Sequence, residues 1–384
     1  MKTVYLDNNA TTQIAPEVMN EMINALPLYG NASSMHSSGR ESMVAIENAR
    51  EQVGKILNVD SDDIIFTSGG SESDNNVLYT ATSLIDKGSK KNRIIVSTIE
   101  HPAIIETCKD LLLKGYKIEY VPVDAFGVVL PQSLEKMMDD DVILVSIMSA
   151  NNETGTIQPI KELSQISHAF GALIHTDAVQ AIGKMAVDAT DWGVDYLSIS
   201  GHKFYGPKGV GALYIKKGAP FETFVKGGHQ EDGKRAGTYN TMSIIGMGEA
   251  ARLVGEEDPS ELKREWKLRE KLREGLQETI PSAVVNGHPT LCLPGTLNIS
   301  FPQAEGESIL LMLDFEGIAV STGSACATGS LEPSYVLLAS GLDIELAHGS
   351  IRFSLGRYTT EQDIDYVIEK VGPIVKRLRG MSTR

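Results

Sequence analysis

Lys203 ends a short apolar run, Tyr196–Ser200, and follows Gly201 and His202, with further glycines at 206, 209 and 211. A lysine at the end of a buried strand is costly unless something pairs with it or bonds to it. One chemistry exploits that cost, because a desolvated lysine favours the neutral amine that condenses with an aldehyde. Taken alone, Lys203 reads more readily as a salt-bridged lysine beside a glycine turn. Gly206 to Gly211 does not make a nucleotide loop, since no Gly-Lys-Ser/Thr sequence occurs there.

The aldehyde reading depends on partners. Pyridoxal phosphate (PLP) needs a lysine, an acid for its pyridine nitrogen, a donor for its phenolic oxygen and an anion site for its phosphate. Asp177 is the candidate acid, and Gln180, three residues on, can reach the phenolic oxygen. Gly70, Ser71, Ser200 and His202 are the phosphate candidates. His101 can stack on the ring and move protons. Asn152 is a candidate contact to cofactor and substrate, and Asn31 to substrate.

The elements that must carry these groups follow from hydrophobic pattern. Strands are predicted at 63–67, 93–97, 118–122, 142–148 and 172–176, with helical segments between most of them. Repeated β-α units imply a mostly parallel sheet with helices on both faces, an α/β fold. Ligands in such sheets sit beyond the carboxyl ends of the strands. Ser68, His101, Asn152, Asp177 and Lys203 all fall at those ends. The Ser68-Gly69-Gly70-Ser71 turn precedes a helix, and a helix N-terminus attracts anions. Residues 29–40, with Asn31, read as a polar loop. Asp258-Pro259-Ser260-Glu261 opens a capped helix near a domain boundary. Leu262, Trp266, Leu268, Leu272 and Leu276 line one face of it, and the intervening charges read as solvated. Shorter strands follow at 283–285, 297–300, 318–320 and 350–355, then a closing helix at 361–378.

Bulk properties narrow the class. The formal net charge of −15 argues against a nucleic-acid surface and an anionic membrane. No apolar run is long enough to span a bilayer, and Asp7 interrupts any secretory core, so a cytoplasmic setting is expected. The three cysteines, at 108, 292 and 326, form neither a disulfide framework nor a zinc set. Cys108 and Cys292 sit among apolar neighbours and read as core. Cys326 lies in a run of small residues, 321–330, and reads as an accessible nucleophile.

These stretches together resemble the PLP-dependent cysteine desulfurases of the NifS/IscS group, within the class V aminotransferase superfamily. The matching stretches include YLDNNATT (5–12), TSGGSESDNN (67–76), HTDAVQAIGK (175–184), SGHKFYGPKGVGALY (200–214) and STGSACATGSLEPS (321–334). The resemblance implies PLP fold type I, with a large cofactor domain over 15–257. A smaller α+β domain over 1–14 plus 258–384 would carry the cysteine loop. It implies that Lys203 forms the Schiff base and that Cys326 takes up sulfur as a persulfide. Arg352 would hold the substrate carboxylate. Thr238 would reach the cofactor phosphate of the other subunit of a homodimer. Cys326 is also a candidate transient iron–sulfur ligand. The chain departs from the usual pattern at Ala32, where proline is common, and at Lys234. It departs also at Gly70-Ser71, where Ala-Thr or Cys-Thr is common.

The expected reaction converts L-cysteine to L-alanine and passes the sulfur to an iron–sulfur scaffold or other acceptor protein. Selenocysteine lyase and aminotransferase are the alternatives. Nitrogen fixation, general iron–sulfur cluster assembly and tRNA thiolation are the candidate destinations of the sulfur.

Overall fold

The computed structural model describes residues 3–322 and 332–382. The chain opens with β1 (Val4–Tyr5). Seven strands then build one sheet: β2 (Ile64–Thr67), β3 (Arg93–Ser97), β4 (Lys117–Val121), β5 (Val142–Ser146), β6 (Leu173–Asp177), β7 (Tyr196–Ser200) and β8 (Gly211–Ile215). Their spatial order is β2-β8-β7-β6-β5-β3-β4. The β8 strand runs antiparallel to both its neighbours, and every other pairing is parallel.

Side chains alternate across this sheet as the pleat requires. Ile95, Val145, Ile174 and Leu197 enter one apolar cluster, while Ile94, Val96, Leu144 and Tyr196 enter another. With both faces covered, the strands read as continuous apolar runs. The helices Gly70–Asp86, Pro102–Leu113 and Ile160–Ala169 make crossovers between successive strands. The antiparallel β8 was not singled out as a strand in the sequence, because glycines dominate its approach.

The C-terminal part has its own sheet and core. Its strands are β9 (Val284–Asn286), β10 (Thr296–Ser300), β11 (Ile318–Ala319), β12 (Ser321–Thr322) and β13 (Ser350–Ser354). A four-stranded antiparallel sheet has the order β12-β13-β10-β9, and β11 pairs in parallel with β1. Val4 and Leu6 bury in this C-terminal core beside Leu272, Leu297, Phe353 and Val367. From Asp7 the chain crosses to the large sheet, where Thr12 donates N–H and hydroxyl to the His202 carbonyl.

The helix Ser260–Thr279 differs from its sequence reading. Asp258 accepts from the Ser260 N–H, but Glu261 pairs with Arg264 and does not reach back to close the cap. Its intervening charges are not all solvated: Glu265 and Arg269 are buried. Arg269 donates to the Thr296 carbonyl of β10, so packing against the sheet outweighs the polar pattern. Among the described residues, no helix is long and apolar enough to cross a membrane.

Candidate active site

The carboxyl ends of β2, β3, β5, β6 and β7 open on a cavity of about 370 Å³. Gly70, Ser71, His101, Asn152, Asp177, Gln180, Ser200, His202, Lys203 and Arg352 all line it. So do Asn9, Ala10, Asp74, Met148 and Val179, which sequence reading had not placed there. By its own residues the YLDNNATT stretch is a polar turn. Its position over the cavity is decided by β1 pairing with a strand over 300 residues away.

Lys203 sits in the 3₁₀ turn Gly201–Lys203 that follows β7. Its Nζ donates to the carbonyls of Asn9 at 2.6 Å and Ala10 at 2.8 Å. The turn fits because β8 runs close beside it. A Cβ on Gly211 would lie 2.6 Å from the Ile199 carbonyl and 2.7 Å from Gly69 Cα.

Asp177, the last residue of β6, is buried and accepts the Val179 N–H at 2.8 Å. Asp74, on the helix after β2, is buried too, and its Oδ1 has no hydrogen-bond partner among the described residues. Burial and the Asp177 charge push the Asp74 carboxyl well above its ordinary range. Burial raises Asp177 too, to about 6, but the Val179 N–H and the Lys203 charge oppose it, so of the two acids Asp74 is the one that keeps a proton. Behind them, burial raises Glu100 to about 8, and His175 is driven down to about 3 by burial.

His101 caps the helix Pro102–Leu113 by accepting the Ala103 N–H at Nδ1. Burial first, and Lys203 second, lower its pKa to about 4, so the ring is neutral at neutral pH. His202 is lowered to about 4 for the same reasons, and its Nδ1 meets the Thr11 hydroxyl at 3.2 Å. Gln180 donates Nε2 to the Asn9 carbonyl at 2.9 Å.

Gly70 is the first residue of the helix Gly70–Asp86, whose leading N–H groups lack intrahelical acceptors. A Cβ there would meet Val179 Cγ2 at 2.6 Å. The bare backbone at 70 and the branched side chain at 179 thus share one space. This explains how Gly70 stands where alanine or cysteine was the expected residue.

On the opposite wall, Arg352 of β13 is 2% exposed. Its Nη2 donates to Asp7 Oδ1 at 2.8 Å and Nη1 to the Asn152 carbonyl at 3.1 Å, while Nε has no partner among the described residues. A buried guanidinium with an unpaired N–H suits a bound carboxylate.

Two expected site residues lie elsewhere. Asn31 is exposed and accepts the Ser33 N–H within its own loop at 3.0 Å. Thr238 is exposed and outside the cavity. Cys326, and with it the cysteine loop, lies outside the described residues. Cys108 and Cys292 are buried. Among the described residues, no cluster of His, Cys, Asp and Glu could hold a metal ion.

The residues present fit PLP. An amine, a buried acid and a helix N-terminus converge on one cavity, with an unpaired carboxyl oxygen beside the acid. The family described as Aminotransferase class-V matches residues 4–367, and the chain belongs to that family, whose cofactor is PLP. Within it, the chain is 49% identical to the cysteine desulfurase IscS of Dictyoglomus turgidum, covering 99% of this chain and 96% of that one. It is 47% identical to the cysteine desulfurase IscS of Clostridium botulinum, covering 99% and 96%. A solved NifS-like protein superposes with a TM-score of 0.91 at 42% identity, over 98% of this chain and all of that one. A structure titled SspA in complex with cysteine gives 0.82 at 31% identity, over 93% and 100%.

Proposed function

We propose that this chain is a PLP-dependent cysteine desulfurase that converts L-cysteine to L-alanine and collects the sulfur on Cys326. The observation that carries the reading is the meeting of Lys203, Asp177 and the Gly70 helix end in one cavity, with Arg352 on its far wall.

PLP, when bound, supplies the electron sink that lets bonds at the substrate Cα and Cβ break. The protein's residues do the rest. Asp177 offers a carboxylate to the pyridine nitrogen, and Gln180 offers an N–H to the phenolic oxygen. Gly70 N–H, Ser71, Ser200 and His202 hold the phosphate, and the partner chain adds Thr238. Arg352, assisted by Asn152, takes the substrate carboxylate. Lys203 Nζ would take the proton at the substrate Cα. Cys326 Sγ bonds to the substrate sulfur as the Cβ–S bond breaks. The electron pair of that bond stays with carbon, and a proton completes the alanine methyl group. The neutral His101 ring is placed to relay that proton. The resulting Cys326 persulfide passes its outer sulfur to an iron–sulfur scaffold or other acceptor thiol in the cytoplasm.

A homodimer follows from the same reading. Met19, Ile23, Leu26, Tyr29, Met35 and Val44 are all exposed in one N-terminal stretch. Such apolar exposure marks a surface for a partner.

The deciding assay measures alanine and sulfide from L-cysteine with a reducing thiol. Cys326→Ala should lose sulfide release by at least ~10²-fold while retaining bound PLP, and Lys203→Ala should lose both. Wild-type sulfide release by Cys326→Ala refutes the nucleophile, and a keto-acid-dependent amino transfer at comparable rate refutes the desulfurase.

A further inference from the structure

Lys184 follows Gln180 by four residues and has no part in the chemistry above. Its Nζ donates to Gln180 Oε1 at 2.8 Å and to Asn9 Oδ1 at 2.9 Å. Both acceptors belong to residues on the cavity wall. Both bonds use N–H groups of Lys184, so the atoms facing it are the two amide oxygens and each NH₂ points elsewhere. Gln180 Nε2 accordingly donates to the Asn9 carbonyl, the same carbonyl that receives Lys203 Nζ. Asn9 Nδ2 donates to the Asn152 carbonyl and the Thr296 hydroxyl of β10. Lys184 thus sets two amides at once, one beside the cofactor cavity and one bridging to the C-terminal sheet.

We propose that Lys184 is a positioning residue: it fixes the Gln180 amide with its NH₂ available to the cofactor's phenolic oxygen, and it holds the Asn9 side chain in its bridge to Asn152 and β10. The proposal rests on Gln180 being the donor to that oxygen. Burial first, then Lys203, lower Lys184 to about 7, with Glu265 on the 260–279 helix opposing them, and the neutral amine still carries the two N–H groups that these bonds use. Lys184 acts through Gln180 and touches no reacting atom.

The test titrates the visible absorption band of the PLP-loaded enzyme against pH. It compares wild type, Lys184→Met, Gln180→Ala and the double variant. Gln180→Ala should move the midpoint upward, because a donor to the phenolic oxygen is lost. Lys184→Met should move it the same way by roughly half a pH unit or more. In the Gln180→Ala background Lys184→Met should add nothing. Equal shifts in both backgrounds mean that Lys184 acts by its charge alone, and they overturn the positioning role while leaving Gln180 in place. No shift in Gln180→Ala overturns the Gln180 assignment and the proposal with it. Should Lys184→Met fail to retain PLP, Lys184→Gln keeps an NH₂ donor without the charge and carries the same cycle, with a smaller shift expected.

Discussion

Arg352 shows how much a single residue must satisfy. It is buried, pairs with Asp7 and keeps Nε without a partner among the described residues. A carboxylate arriving there gains charge-assisted bonds without the protein having to desolvate a new cation. Lysine carries the charge but cannot present the planar fork. Arg352→Lys should therefore raise KM for cysteine at least ~10-fold, with a smaller effect on kcat, in steady-state alanine assays. Glu100 is the residue on which pH acts most visibly. It is fully buried and its pKa is raised to about 8, by burial first. The folded protein therefore keeps a proton that the unfolded chain releases above about 4.5. Its contribution is fully present at low pH and is lost as pH rises toward 8. Glu100→Gln should flatten the fall in apo-protein stability between pH 5 and 8 by on the order of a few kcal/mol, read by urea unfolding.

At the scale of the element, the helix Gly70–Asp86 and the segment after β6 are fitted to each other. Gly70 leaves the room that Val179 fills, a contact of 2.6 Å were a Cβ present. Gly70→Ala forces one of them to move, which costs about 1–3 kcal/mol in a packed site. It should lower the thermal midpoint of the apo protein and weaken PLP binding measured by equilibrium dialysis. Val179→Ala added to it should restore both, since the added methyl then has space. Additive losses in the pair would show that the two positions do not share the space.

At the scale of the whole molecule, residues 4–12 stitch the C-terminal core to the large sheet. Val4 and Leu6 belong to the C-terminal core, while Asn9 and Ala10 accept Lys203 in the large sheet. The site thus forms only when both parts are folded and docked. In the proposed homodimer, the apolar residues exposed in the N-terminal stretch would meet the second copy. Tyr29 is 87% exposed and Met35 91%. Wild-type protein should run as a dimer by light scattering at micromolar concentration, and Tyr29→Asp should shift it toward monomer. The monomer should also hold PLP more weakly, as Thr238→Ala should in the dimer. A wild-type monomer with full PLP affinity rules out a contribution from the partner.

Local chemistry determined much of this protein. Apolar runs ending in polar residues fixed the parallel sheet, because strand ends in β-α repeats gather on one edge. Lys203, Asp177 and Gly70 were legible for that reason. What the residues alone left open were the contacts made across hundreds of positions. Asp7 and Asn9 read as parts of a turn until β1 paired with β11 and swung them over the cavity. Glu265 and Arg269 read as surface until their helix packed on β10. Asp74 and Lys184 lie on the same helix or loop as recognised site residues, yet their protonation and orientation depend on neighbours from other strands. Burial and pairing are properties of the folded whole, so only the tertiary structure could assign them.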